Sequence, residues 1–175
     1  LGFRRILPAV PFLLLLTGHV PKILRSRSTK WVYPTLVLIT VLSSTLVYPH
    51  YLSYFNQIAG GPGRGPFLLD DSNIDWGQDL PALARWQAEN QDASQLKLMY
   101  FGNVRPEHYG VRALPIPEQD ILQPRPGYYA ISAHNLAWLR KIKQRTGQDI
   151  DWLSKYEPVS RAGFSIYLYN FPGRP

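Results

Sequence analysis

Between Trp31 and Tyr48 the chain runs for eighteen residues without a charge, and this run constrains the possible folds more than any other feature. As a helix rising 1.5 Å per residue it would cover about 27 Å, close to the thickness of a bilayer's hydrocarbon core. Trp31 and Tyr33 at one end, with Tyr48, Tyr51 and Tyr54 at the other, fit aromatic belts at two membrane surfaces. The reading is a transmembrane helix over about residues 31–51.

A shorter apolar stretch, Ile6 to Gly18, holds Pro8 and Pro11 and follows Arg4 and Arg5. It could be the apolar core of a signal peptide, but no small-x-small cleavage site follows before Pro21. A Pro-containing membrane helix over about 6–18 is preferred, because neighbouring helices can satisfy the carbonyls that proline leaves unpaired. The chain opens at Leu1 and enters this stretch almost at once, as expected of a processed product or a piece of something longer.

Charge distribution sharpens the picture. All 12 acidic residues lie at or after Asp70, while residues 1–51 carry six basic residues and no acid, which leaves the rest of the chain at +1. The basic excess flanks apolar runs rather than covering a folded surface, so nucleic-acid binding is disfavoured. Lys22, Arg25, Arg27 and Lys30 lie between the two apolar runs, and no Lys or Arg follows the second until Arg64. By the positive-inside rule that linker is cytoplasmic and residues 49–175 are extracytoplasmic. With no cysteine, disulfides, thiolate metal sites and thiol nucleophiles are excluded.

The domain reading is therefore 1–59, two transmembrane helices with a basic linker, then 60–175, a small extracytoplasmic α/β domain. GGPGRGP (60–66) is a turn-rich linker that lacks the Lys-Ser/Thr ending of a phosphate-binding loop. Phe67–Asp70 is a short apolar run. Asp79 offers an N-cap for a helix through Asn90 with Leu80, Leu83 and Trp86 as its stripe. Leu96–Phe101 and Tyr128–Ser132 read as strands, 103–126 as a proline-broken loop, Leu136–Arg145 as a basic amphipathic helix stopped by Gly147, and Phe164–Phe171 as an alternating last strand.

The densest polar cluster is DDSNIDWGQD (70–79), at the carboxyl end of an expected strand, where α/β sheets bind ligands. A calcium loop fails there because Gly77 falls one position late and Ala82 stands where a bidentate Glu is needed. Two readings stay level: a ligand-binding turn using Asp75, Gln78 and Asp79, or a helix cap with an Asx-type turn. In YPHYLSYFN (48–56), His50 and Asn56 could touch a polar head group, although aromatic anchoring alone explains the segment. Arg4 and Arg5 have forks that match phosphate oxygens, and membrane flanking is their simpler role. No metal motif appears among the four scattered histidines.

Three stretches in order, GFRRILPAVPFLLLL (2–16), YPHYLSYFNQIAGGP (48–62) and LLDDSNIDWGQDL (68–80), with PGYYAIS (126–132) and RAGFSIYLY (161–169), together resemble the C-terminal portion of glycosyltransferase family 39-type membrane proteins, relatives of dolichyl-phosphate-mannose protein mannosyltransferases and of bacterial lipid A aminoarabinose transferases. The resemblance implies an enzyme moving a sugar from a polyprenyl-phosphate carrier to an extracytoplasmic acceptor, with membrane lipid and the enzyme's upstream transmembrane part as partners and no cofactor. It places the catalytic carboxylate upstream, at no position of this chain, so residues 1–175 alone are expected to be inactive. It carries a carrier-phosphate contact onto Arg4, where the sequence departs from the family's Arg-His or Arg-Tyr start. The competing reading is a non-catalytic, membrane-anchored extracytoplasmic interaction module.

Overall fold

Parallel and antiparallel strands meet in one five-stranded sheet, whose order is β2-β1-β3-β5-β4. A computed structural model of the chain describes residues 7–19, 30–48, 50–53, 60–61 and 75–173. The chain divides into two compact units, Leu1–Tyr51 and Leu52–Pro175.

Among the described residues the first unit holds two α-helices, α1 (Val10–Thr17) and α2 (Val32–Leu46). Here the expectation of two transmembrane helices is overturned: among the described residues no helix is long and apolar enough to cross a membrane. Pro8 and Pro11 lie at the start of the first apolar run, and only eight residues of it form α1, about 12 Å of helix. The second run begins with a turn at Lys30–Trp31 and gives way to another at Val47–Tyr48, so that fifteen residues remain in α2. That is roughly 22 Å against the 30 Å of a hydrocarbon core. The uncharged run spans eighteen residues, but its two ends are turns.

The second unit is a small mixed α/β domain. Helix α3 (Leu80–Glu89) precedes β1 (Leu96–Met99), and the proline-rich stretch after it contains β2 (Ala113–Pro115) and the short α4 (Glu118–Leu122). Then follow β3 (Gly127–Ser132), α5 (Ala133–Thr146), α6 (Trp152–Lys155), β4 (Ser160–Ala162) and β5 (Ile166–Phe171). β1 pairs parallel to both β2 and β3, whereas β5 runs antiparallel to β3 and β4.

Period-two alternation along the strands gives the sheet two buried faces. Ala130, Ile166, Leu168, Leu96 and Leu98 pack with Leu80 and Leu83 of α3 on one side. Tyr129, Ile131, Tyr167 and Tyr169 pack with Leu136 and Leu139 of α5 and Trp152 of α6 on the other. Trp152 is fully buried, meets Tyr129, Tyr156, Tyr169 and Phe171 at centroid distances of 5.2–5.6 Å, and donates its indole N–H to the Ile121 carbonyl at 2.8 Å. Tilted and edge-on ring pairs of this kind add about 0.5–1.5 kcal/mol each to their area burial.

Candidate functional site

The 75–79 turn sits where β1 and β3 end and β5 begins. Its two carboxylates are buried, Asp75 at 0% and Asp79 at 1% exposure, so each must be matched by donors. Asp79 stands at the N-cap position of α3, and its carbonyl accepts the Leu83 N–H at 2.9 Å. Its side chain makes no cap bond to that helix. Instead Oδ2 accepts the backbone N–H groups of Phe164 and Ser165, at 2.9 and 2.8 Å, in the turn between β4 and β5. The expected side-chain cap is thus corrected to a long-range tether. Glycine is required at 163 because φ is +61° and a Cβ would run into the Asp79 carboxylate.

Asp75 does the capping that Asp79 does not. Its Oδ1 accepts the Gly77 N–H at 2.9 Å, closing the Asx-type turn expected from the sequence, and its Oδ2 accepts the His134 N–H at 3.4 Å in the first turn of α5. The preceding residue, Ser132, gives α5 no side-chain cap, so a carboxylate from another part of the chain meets the positive end of the helix. Burial pushes the Asp75 carboxyl above the ordinary 3.8, only partly offset by hydrogen bonds from Gly77, Ser132 and His134. Gln78 folds back, its Oε1 accepting the Trp76 N–H at 2.8 Å.

With the acids turned inward, the residue they present to solvent is Trp76, 50% exposed. Its ring lies 6.1 Å from Phe101, and Phe101 stacks on His134 at 3.9 Å. Gly77 makes the approach of Tyr100 possible, since φ there is +79° and a Cβ would strike the tyrosine hydroxyl. Trp76, Phe101 and His134 form an aromatic shelf at the carboxyl ends of parallel strands β1 and β3, the edge at which such sheets bind ligands. Sequence reasoning missed Phe101 and His134 as site residues. The available signal was position: Phe101 is the last residue of one expected strand, and His134 lies two residues beyond the end of another.

Asp75, Gln78 and Asp79 therefore come together in one turn. His50 belongs to the other unit, where it is half-buried and its N–H donates to the Val47 carbonyl at 2.7 Å. Arg4, Arg5, Asn56 and the acidic stretch 70–74 lie outside the described residues.

A second polar cluster is a brace within the domain. Buried Asp120 accepts from Lys97 at 2.8 Å, from Arg125 at 2.6 Å and from the Tyr129 hydroxyl at 2.8 Å. Burial raises the Asp120 carboxyl, but the bonds from Lys97, Tyr129 and Arg125 outweigh it and bring it to about 2. Its oxygens are engaged by neighbouring side chains, which leaves it poorly suited to proton transfer. Among the described residues no group of three His, Asp or Glu could hold a metal ion. Compared with known proteins, the chain matches no family model, and no curated protein or solved structure is significantly similar to it.

Proposed function

We propose that this chain is the C-terminal part of a glycosyltransferase that moves a sugar from a polyprenyl-phosphate carrier to an extracytoplasmic acceptor, and that its α/β unit supplies a binding surface rather than the reacting groups. The observation that carries this reading is the inward commitment of Asp75 and Asp79, which holds Trp76 out beside Phe101 and His134. Exposed aromatic faces beside polar groups suit a sugar ring, whose C–H surface packs on the ring while its hydroxyls meet polar neighbours. Gln78 and His134 are the polar groups at hand.

Transfer needs a base to deprotonate the acceptor and cations to stabilise the departing lipid phosphate. In this proposal the base comes from the upstream part of the same enzyme, and Arg4 and Arg5 are the cations. Asp75 is a positioning residue: it orders the start of α5 and thereby His134. Because Asp75 and Asp79 are spent on internal bonds, a non-catalytic binding module is the second reading, and it shares the same shelf.

The test compares sugar transfer by the full gene product with that of its Asp75→Asn form, alongside thermal unfolding. A positioning role predicts lowered transfer with the fold retained. Equal losses of transfer and stability make Asp75 purely structural, and no loss of either removes it from the site.

A further inference from the structure

We propose that Tyr100 is the selective residue of the shelf, donating its phenol hydrogen to one ring hydroxyl of the sugar that packs on Trp76. The inference rests on the sugar-binding reading above and adds the group by which such a shelf distinguishes a sugar from its deoxy form. Tyr100 directly follows β1, and the body of its ring packs on the core that contains Leu80 and Leu83. Its outer end is wedged between two backbone segments. A Cβ at Gly77 or at Gly102 would overlap the ring, and at both positions the nearest atom is the phenol oxygen. Gly77 adjoins Trp76 and Gly102 adjoins Phe101, so that oxygen lies against the backbone next to each of these two shelf aromatics.

Packing alone does not account for a tyrosine at this position. Phenylalanine would fill the same wedge without pressing a polar atom between two glycines, and a hydroxyl drawn away from water without a partner is destabilising. Among the described residues none shares a hydrogen bond with the Tyr100 hydroxyl. The side chain is only half-buried, so a ligand can reach it. Burial pushes the phenol above its ordinary 10, and the Asp75 carboxylate and the Tyr109 hydroxyl push it the same way, so it keeps its proton and serves as a donor. A donor fixed by backbone on both sides loses little freedom when a ligand binds. A site built to bond a substrate hydroxyl discriminates against the analogue that lacks it, whereas stacking on an aromatic ring tolerates either.

The test is a binding cycle on the full chain. Isotope-labelled tryptophan gives one indole N–H signal per tryptophan in a nuclear magnetic resonance spectrum, and Trp76→Ala identifies the signal of Trp76. The probes are the methyl glycosides of glucose, galactose, mannose and arabinose, followed by the monodeoxy forms of whichever one moves that signal. The proposal expects Tyr100→Phe to weaken binding of that glycoside roughly tenfold with the unfolding temperature unchanged. It also expects one deoxy form to bind the unaltered chain as weakly, and Tyr100→Phe to make no further difference to that form. Undiminished binding by Tyr100→Phe, with the Trp76 signal still moving, overturns the proposal and leaves the shelf standing. Equal weakening of the parent glycoside and of every deoxy form makes the phenol a packing group and overturns it too. A Trp76 signal that no glycoside moves overturns the shelf and this inference together.

Discussion

Asp79 and Ser165 stand eighty-six residues apart in sequence, yet the carboxylate of the first accepts the backbone N–H of the second at 2.8 Å. This bond, with its companion from Phe164, fastens the turn before α3 to the start of β5. It separates a local cap from a tether experimentally. A cap would be restored by Asp79→Ser, because serine caps as well as aspartate. A tether would not, because the shorter side chain cannot span to the β4–β5 turn. We expect Asp79→Ala and Asp79→Ser each to cost about 2–4 kcal/mol in urea unfolding, as two N–H groups lose their acceptor, with Asp79→Asn retaining part of the stability.

Gly163 and Asp79 act as one unit. Gly163→Ala should destabilise by about 1–3 kcal/mol, from a left-handed backbone and from collision with the carboxylate. Combined with Asp79→Ala, the collision disappears, so the double variant should lose less than the two single losses added together. Additive losses would separate the two residues.

Acid titration should show two opposite slopes. Asp120 titrates at about 2 in the folded chain against 3.8 for the free carboxyl, so the unfolded state takes up this proton first. Its stabilisation is full well above pH 3.8 and is lost as pH falls through 3.8 towards about 2. Asp75 is held above 3.8, so the folded state is protonated first and stability declines as pH rises through the interval above 3.8. Urea midpoints measured from pH 2 to 7 should lose the acid-side slope in Asp120→Asn and the opposite slope in Asp75→Asn.

The proposed extracytoplasmic placement of the α/β unit has a direct readout. Ser94 is exposed in the α/β unit, so Ser94→Cys should react with a membrane-impermeant thiol reagent in intact cells. Protection until the cells are lysed would put the domain on the cytoplasmic side.

Much of the α/β unit is legible from pattern alone, because its main elements have strong local signals. The 80–89 helix, the strands at 96–99, 127–132 and 166–171, and the basic helix with its stop at Gly147 follow from apolar spacing and terminators. What stayed hidden has no local period. β2 and α4 lie in a stretch broken by Pro106, Pro115, Pro117, Pro124 and Pro126, and α6 is only four residues long, yet it carries the Trp152 at the centre of one core. In the first unit the missing information was where the helix stops: an uncharged run sets the greatest possible length of a helix, while turns set its actual length. At the site, the acids of 75–79 were visible as a cluster. Their partners are brought in by strand pairing, His134 at the end of β3 beside parallel β1 and Phe164 and Ser165 at the start of antiparallel β5, which no spacing within the turn reveals.

The central claim is that the buried acids serve the shelf and the shelf serves sugar transfer. Trp76→Ala tests it most directly, since the ring is half exposed and the N–H groups that bond Asp75 and Asp79 belong to Gly77, His134, Phe164 and Ser165. In the full gene product, transfer of labelled sugar from a polyprenyl-phosphate donor should fall by about tenfold or more, the loss of roughly 1.4 kcal/mol of stacking in the transition state. The unfolding temperature should move by no more than about 2 °C. Wild-type transfer by a stable Trp76→Ala protein would contradict the account.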